Sequence, residues 1–221
     1  MAAILFGSIS TLADTSELQR AAYNEAFRVH GLDWTWEQDE YAALLEKSGG
    51  QDRVEQYAVA RGQEVDAGAV HATKSEIFQQ KVVDGVEPRP GVVDTVEAAR
   101  RDGVKLALVT TTSRANVTAL TQALHAAVDV SAFDLVVSAD DVETVKPDPA
   151  VYAYALEQLG ELGDDCVAVE DNVGGVESAT AAGIRCVAFP NENTAQHGFD
   201  QAVGTVDRLD YAELRAVNTS A

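Results

Sequence analysis

Residues 104–114 read Val-Lys-Leu-Ala-Leu-Val-Thr-Thr-Thr-Ser-Arg. A continuous apolar run of this length predicts a strand buried on both faces, and the hydroxyl cluster leads into a helix predicted over Arg114–His125. The same rhythm recurs on either side. Upstream, a helix over Val92–Asp102 stops at Gly103. Downstream, Leu135–Val137 reads as a strand, and Asp148 caps a helix that Pro149 opens and that runs to Leu159. Cys166–Val169 is a strand, Val173–Ala182 a helix closed by Gly183, and Ile184–Phe189 a strand. At the N-terminus, Ala2–Phe6 is another apolar run. Strands alternating with helices imply right-handed crossovers and a parallel α/β sheet covered on both faces, with ligands bound beyond the carboxyl ends of the strands.

One segment breaks the alternation. Helices are predicted over Ser16–His30, with Leu18, Ala22, Ala26 and Val29 on one face and Gly31 closing it, and over Trp36–Lys47, Asp52–Arg61 and Asp66–Asp84. The expected organisation is a core domain of residues 1–14 and 86–221 carrying a helical domain of residues 15–85, inserted after the first strand.

The chain has 221 residues, 46% of them hydrophobic, with 16 Lys and Arg against 36 Asp and Glu, a formal net charge of −20. That is enough chain for a substantial core. The charge excludes nucleic acid and anionic membranes as partners, since both need clustered cations. Only five residues are Lys, a balance seen in salt-adapted and in ordinary acidic proteins alike. No stretch approaches the roughly 20 apolar residues of a membrane span, and MAAILFGS lacks the basic start and long apolar run of a signal peptide. Cys166 and Cys186 lie in apolar runs and are expected as buried, reduced thiols, which places the protein in the cytoplasm.

Three strand ends carry chemistry. Thr110, Thr111, Thr112 and Ser113 follow Val109 and could cradle a phosphate or simply cap the next helix. Lys146 lies between Val137 and the next helix, in Lys146-Pro147-Asp148-Pro149, either as an anion-binding cation or as a solvated side chain. Glu170 and Asp171 follow Val169; paired carboxylates at a sheet mouth suit a hard cation such as Mg²⁺, or cap the following helix.

Together with LADTSELQRAAYNEAF, GLDWTW, SGGQDRV, VTTTSRANV, KPDPAVY and VEDNVGGVESATAAG, these motifs make the chain resemble the haloacid-dehalogenase-like (HAD) hydrolase superfamily over nearly its whole length. The similarity is greatest to the β-phosphoglucomutase-like branch and its CbbY-like sugar-bisphosphate phosphatases. The resemblance implies a Rossmann-like HAD core with a small α-helical cap, and phosphate contacts from Thr110, Thr111 and Lys146. It implies Mg²⁺ at Asp171 and Glu170, and cap contacts to substrate from Gln51, where the family commonly has Lys, and Arg53.

The family's first motif, Asp-x-Asp-Gly-Thr, is not present. This chain reads Gly7-Ser8-Ile9-Ser10-Thr11. The family's nucleophile position is Gly7 and its acid/base position is Ile9. Glycine cannot attack phosphorus, and isoleucine cannot move a proton, a service worth about 10²–10⁴ in rate. Mg²⁺ is expected to bind weakly or not at all. Asp14 fits the start of the cap, Ser8 and Ser10 lack an evident activating base, and His30, His71, His125 and His197 are scattered. Trp34 and Trp36 are expected to pack the cap. Three readings follow: a HAD hydrolase by descent that lost aspartyl-phosphate chemistry yet binds a phosphorylated metabolite or inorganic phosphate, an active phosphatase with a non-standard nucleophile, or a non-enzymatic interaction protein. The expected state is a monomer or weak homodimer.

Overall fold

A computed structural model describes residues 1–47, 49–83 and 85–219. Its strands are β1 (Ala3–Phe6), β2 (Lys105–Val109), β3 (Leu135–Val137), β4 (Cys166–Glu170), β5 (Arg185–Ala188) and β6 (Gly204–Thr205). They form one sheet in the order β3-β2-β1-β4-β5-β6, parallel throughout. Chain order reverses at central β1, where a doubly wound sheet opens its crevice. Phe6 is level with Leu108 and Val169, so the loops after β1, β2 and β4 leave the sheet side by side.

Strand residues alternate between two apolar clusters, which is why each run is apolar without a break. Phe6, Leu108 and Val169 face one cluster with α6 (Val92–Arg101), α7 (Arg114–Leu124) and α10 (Tyr211–Thr219). Leu5, Ala107 and Ala168 face the other, with α8 (Ala150–Leu159) and α9 (Val173–Ala181).

After β1 come a single turn, α1 (Ile9–Leu12), and the helical insert: α2 (Ser16–Val29), α3 (Gln38–Leu44), α4 (Gly50–Ala60) and α5 (Ala67–Val82). The insert is built on aromatic rings. Phe27 meets Trp36 edge-on at 4.7 Å and Trp34 at 5.2 Å, and Tyr23 lies 4.8 Å from Trp36. Both tryptophans are buried packing residues. The two connections to the core touch where Ala13 bridges Pro88 and the Arg89 N–H donates to the Leu12 carbonyl. The buried Arg89 guanidinium pins that junction to the sheet, donating to the carbonyls of Ser10 (3.2 Å), Phe189 (2.6 Å) and Pro190 (2.5 Å).

Several expected boundaries move. Helix α3 starts at Gln38, because Trp36 is held by Asn24: its N–H donates to the Asn24 amide oxygen and its carbonyl accepts from Asn24 and Arg20. Val29 is 60% exposed, since α2 buries Ala22, Tyr23, Ala26 and Phe27 and its last turn overshoots the core. Glu170 ends β4 instead of starting the loop, and α8 begins at Ala150, whose N–H donates to Asp148. The short α1, two-residue β6 and terminal α10 had no clear pattern. Asp84, the expected end of α5, and Ser48 of the SGGQDR segment lie outside the described residues. Among the described residues no helix is long and apolar enough to cross a membrane.

Candidate active site

The loops after β1, β2 and β4 and the inner face of the insert enclose a cavity of about 500 Å³. Gly7, Thr110, Thr111, Lys146 and Asp171 line it from the sheet, and Gln51 and Arg53 from the insert. All the sequence-predicted residues except Glu170 therefore reach one space.

Glu170 lies behind that wall, fully buried. Its Oε1 accepts from Lys146 Nζ at 2.6 Å and from the Tyr152 hydroxyl at 2.7 Å. Burial pushes the Glu170 carboxyl up, and the Lys146 charge pulls it back. Lys146 also donates to the carbonyls of Val109 (2.7 Å) and Gly7. Its three ammonium hydrogens are thus all committed within the protein.

Gly7 has a steric reason to be glycine. Its backbone is not left-handed, yet a Cβ there would lie 2.1 Å from Glu170 Oε1 and 2.3 Å from the Tyr152 hydroxyl. The carboxylate of Glu170 occupies the volume a residue-7 side chain would need. Gly175, in the first turn of α9, leaves room on the opposite side, where a Cβ would lie 2.2 Å from the same carboxylate.

Asp171 is held by neutral donors. Its Oδ1 accepts from the Ser8 hydroxyl at 2.8 Å and the Asn172 amide at 2.9 Å, and its Oδ2 from the Asn191 amide at 2.9 Å. Ser8 therefore has a carboxylate beside it, contrary to the expectation that no base stood near. Ile9 is buried and brings no polar atom. Asp14 accepts from the Ser16 N–H and hydroxyl at the start of α2, away from the sheet mouth. Ser113 caps α7 through the Asn116 N–H, and Thr110 Oγ1 accepts from the Thr112 N–H, so this cluster organises a helix start while Thr110 and Thr111 face the cavity.

On the insert side, Arg53 donates to the carbonyls of Leu44 (2.9 Å) and Lys47 (2.8 Å). Two further residues here were not anticipated. His71 lines the cavity, and burial with the nearby Lys74 and Arg53 charges pushes it down to about 4, so its ring is neutral. Lys74 is 3% exposed and also lines the cavity. The signal was available: Val70, Lys74, Ile77 and Phe78 form the buried stripe of α5, and a Lys inside an apolar stripe is unusual.

Charge is sorted sharply. The cavity takes Lys47, Arg53, Lys74 and Lys146, four of the chain's 16 basic side chains, against Asp52 and Asp171 from its 36 acidic ones. Lys146 is already paired with Glu170 behind the wall, which leaves Lys47, Arg53 and Lys74 as the basic groups an anion would meet there.

The haloacid dehalogenase-like hydrolase profile matches residues 6–189. The chain belongs to that family. Protein CbbY of Cereibacter sphaeroides is 37% identical over 218 residues, covering 96% of this chain and 93% of its own. Protein CbbY of Rhodobacter capsulatus is 35% identical, covering 97% and 96%. The crystal structure of CbbY from Rhodobacter sphaeroides in complex with phosphate superposes with a TM-score of 0.86 at 36% identity, over 97% of this chain and 96% of that one. A mutant of the same protein was solved with xylulose-(1,5)-bisphosphate. This chain is thus a CbbY-like HAD hydrolase family member whose first motif lacks both aspartates.

Phosphatases of this family generally use Mg²⁺, and the donor set here does not fit it. Residue 7 offers no oxygen from a side chain, Glu170 is turned to Lys146 and Tyr152, and both Asp171 oxygens accept from neutral donors. An octahedral ion needs anionic oxygens with free lone pairs facing it. Among the described residues no group of three or more His, Cys, Asp or Glu could hold a metal.

Proposed function

We propose that this CbbY-like HAD family member binds a small phosphorylated metabolite, of the sugar-phosphate class, without aspartyl-phosphate turnover. One observation carries the reading: the Glu170 carboxylate fills the place of a residue-7 side chain, 2.1 Å from where its Cβ would be. The nucleophile is absent and its volume is closed. The helical insert, residues 15–85, acts as a cap domain over a core of residues 1–14 and 86–221. The ligand's phosphate lies against Thr110, Thr111 and the Lys146 charge, and Gln51 and Arg53 meet its far end. The phosphate and bisphosphate complexes of the similar CbbY support this ligand class. Two free, buried cysteines in neighbouring strands suit a reducing compartment such as the cytoplasm.

The test has two arms. Calorimetric titration with inorganic phosphate in the presence of a chelator should show weak binding that Thr110→Ala reduces. A phosphate-ester screen with Mg²⁺ should show no turnover above buffer. The triple variant Gly7→Asp/Ile9→Asp/Ser10→Gly, once its new carboxylate displaces Glu170, should gain slow Mg²⁺-dependent activity, and single repairs much less, because nucleophile and acid/base act as a unit. Absence of phosphate binding sinks the reading.

A second reading rests on the 2.8 Å bond from Ser8 to Asp171. A hydroxyl held by a carboxylate is the arrangement that accepts a phosphoryl group in other transfer enzymes. Turnover by the natural protein that Ser8→Ala abolishes would put this reading first.

A further inference from the structure

Lys74 is unlike the other lysines. Lys81 pairs with Glu25, Lys105 with Glu161 and Lys146 with Glu170, while Lys47 is exposed. Lys74 is buried and, among the described residues, has no carboxylate partner. Its Nζ donates only to the neutral Gln19 Oε1, at 2.6 Å, and sits 4.8 Å from the Tyr23 ring and 5.4 Å from the Phe78 ring. Gln19 and Lys74 both face the cavity.

Such surroundings disfavour the ammonium form. Burial foremost, and then the Arg53 charge, push Lys74 down to about 7. The other groups facing this side are no obstacle: His71 is neutral, Tyr23 is pushed up by burial, and Asp52 lies toward the α4 start. Near neutral pH a large share of Lys74 carries a free lone pair, as in lysines that attack carbonyls.

We propose that Lys74 is a nucleophilic amine site that forms an imine with a carbonyl-bearing phosphorylated metabolite, an aldose or ketose phosphate in open-chain form. The choice of a phosphorylated ligand rests on the reading above; the amine does not. In the step, the Nζ lone pair bonds to the carbonyl carbon, the C=O π pair moves to oxygen, and one proton passes from Nζ to that oxygen, giving a neutral carbinolamine. The carbinolamine then loses its hydroxyl and the remaining Nζ hydrogen as water, leaving C=N. No oxidant or reductant takes part.

The test uses the natural chain with dihydroxyacetone phosphate and sodium cyanoborohydride, which reduces an imine to a stable secondary amine, followed by peptide mass mapping. With five lysines the map is unambiguous. At pH 7.5 the adduct should form at Lys74 at least about tenfold faster than at any other lysine, because an amine in water is there almost wholly protonated. Its rate should level off above about pH 7. Label at Lys47, Lys81 or Lys105 with Lys74 unmodified, or a Lys74 rate that climbs to pH 10, overturns the proposal. Lys74→Arg should lose the dominant adduct with an unchanged circular dichroism spectrum. If that variant does not fold, mapping and pH profile on the natural chain still decide. Phosphate binding without a Lys74 adduct sinks this inference alone. Equal Lys74 labelling by unphosphorylated dihydroxyacetone keeps the amine site and overturns the phosphate reading.

Discussion

The two walls of the cavity handle buried charge in opposite ways. On the sheet side Lys146 pairs with Glu170, whose Oε2 is buried with no hydrogen-bond partner among the described residues, and Asp171 accepts from the neutral Ser8, Asn172 and Asn191. On the insert side Lys74 meets a neutral amide and two aromatic rings, and Arg53 meets backbone carbonyls and the Tyr23 hydroxyl. In an aspartyl-phosphate enzyme the sheet side must present unsatisfied carboxylates to metal and substrate. Here that side ties its lysine and both carboxylates to partners of the protein's own, and a buried amine bonded to a neutral amide lies across the cavity. Position 7 leaves no hole: the Glu170 carboxylate occupies the space a side chain there would take.

The largest effect should come from breaking the closed side. Lys146 and Glu170 are 5% and 0% exposed. Removing one partner of a buried pair strands the other, at about 3–5 kcal/mol. Lys146→Ala and Glu170→Ala should each lower the urea unfolding free energy at pH 7 by that amount. The double substitution Lys146→Met/Glu170→Leu should recover part of it, because no charge is stranded, while the Gly7 and Val109 carbonyls and the Tyr152 hydroxyl lose their partners. A cost below about 1 kcal/mol for the single variants would mean the pair is wetter than the geometry implies.

Next in size is the steric prediction at Gly7. Gly7→Ala should cost about 1–3 kcal/mol, the usual range for overpacking a filled core. The cost should shrink when combined with Glu170→Ala, since the clash is with that carboxylate. A double-mutant cycle on unfolding free energies reads the coupling; additivity would show that Glu170 does not occupy the residue-7 volume.

The sheet was legible because its runs are buried on both faces and its breaks fall at Gly103, Gly160 and Gly183, all in left-handed backbone. The site was legible as positions but not as states. Sequence order puts Thr110, Lys146 and Asp171 at adjacent strand ends, so their convergence follows from topology alone. Where the Glu170 side chain points depends on the space at Gly7 and Gly175 and on the Tyr152 hydroxyl, from three other elements, and no local pattern carries that. Lys74 could be placed from the apolar stripe of α5, but its state could not. A lysine in such a stripe ordinarily extends its stem and places its charge in water. Only the rings of Tyr23 and Phe78 around its Nζ show that this one does not reach solvent.

The smallest effect probes the open side through pH. Lys74 titrates near 7 in the folded chain and near 10.4 when unfolded. Between those values the unfolded chain binds more protons than the native one, so this group makes stability rise with pH across that window, and below about pH 7 its full penalty is present. Lys74→Met keeps the stem and removes the charge, at the loss of one hydrogen bond to Gln19. The variant should be more stable than the natural protein by about 1–3 kcal/mol at pH 6, after subtracting about 1 kcal/mol for that bond. The advantage should fall steadily from pH 7 to 9, where natural Lys74 folds mostly as the neutral amine. Lys81→Met, which breaks an exposed pair with Glu25, should show no such trend. Urea unfolding of the three proteins at pH 6, 7.5 and 9 decides it. Parallel profiles for natural protein and Lys74→Met would mean that Lys74 keeps its proton, and the contrast between the two walls would then rest on the sheet side alone.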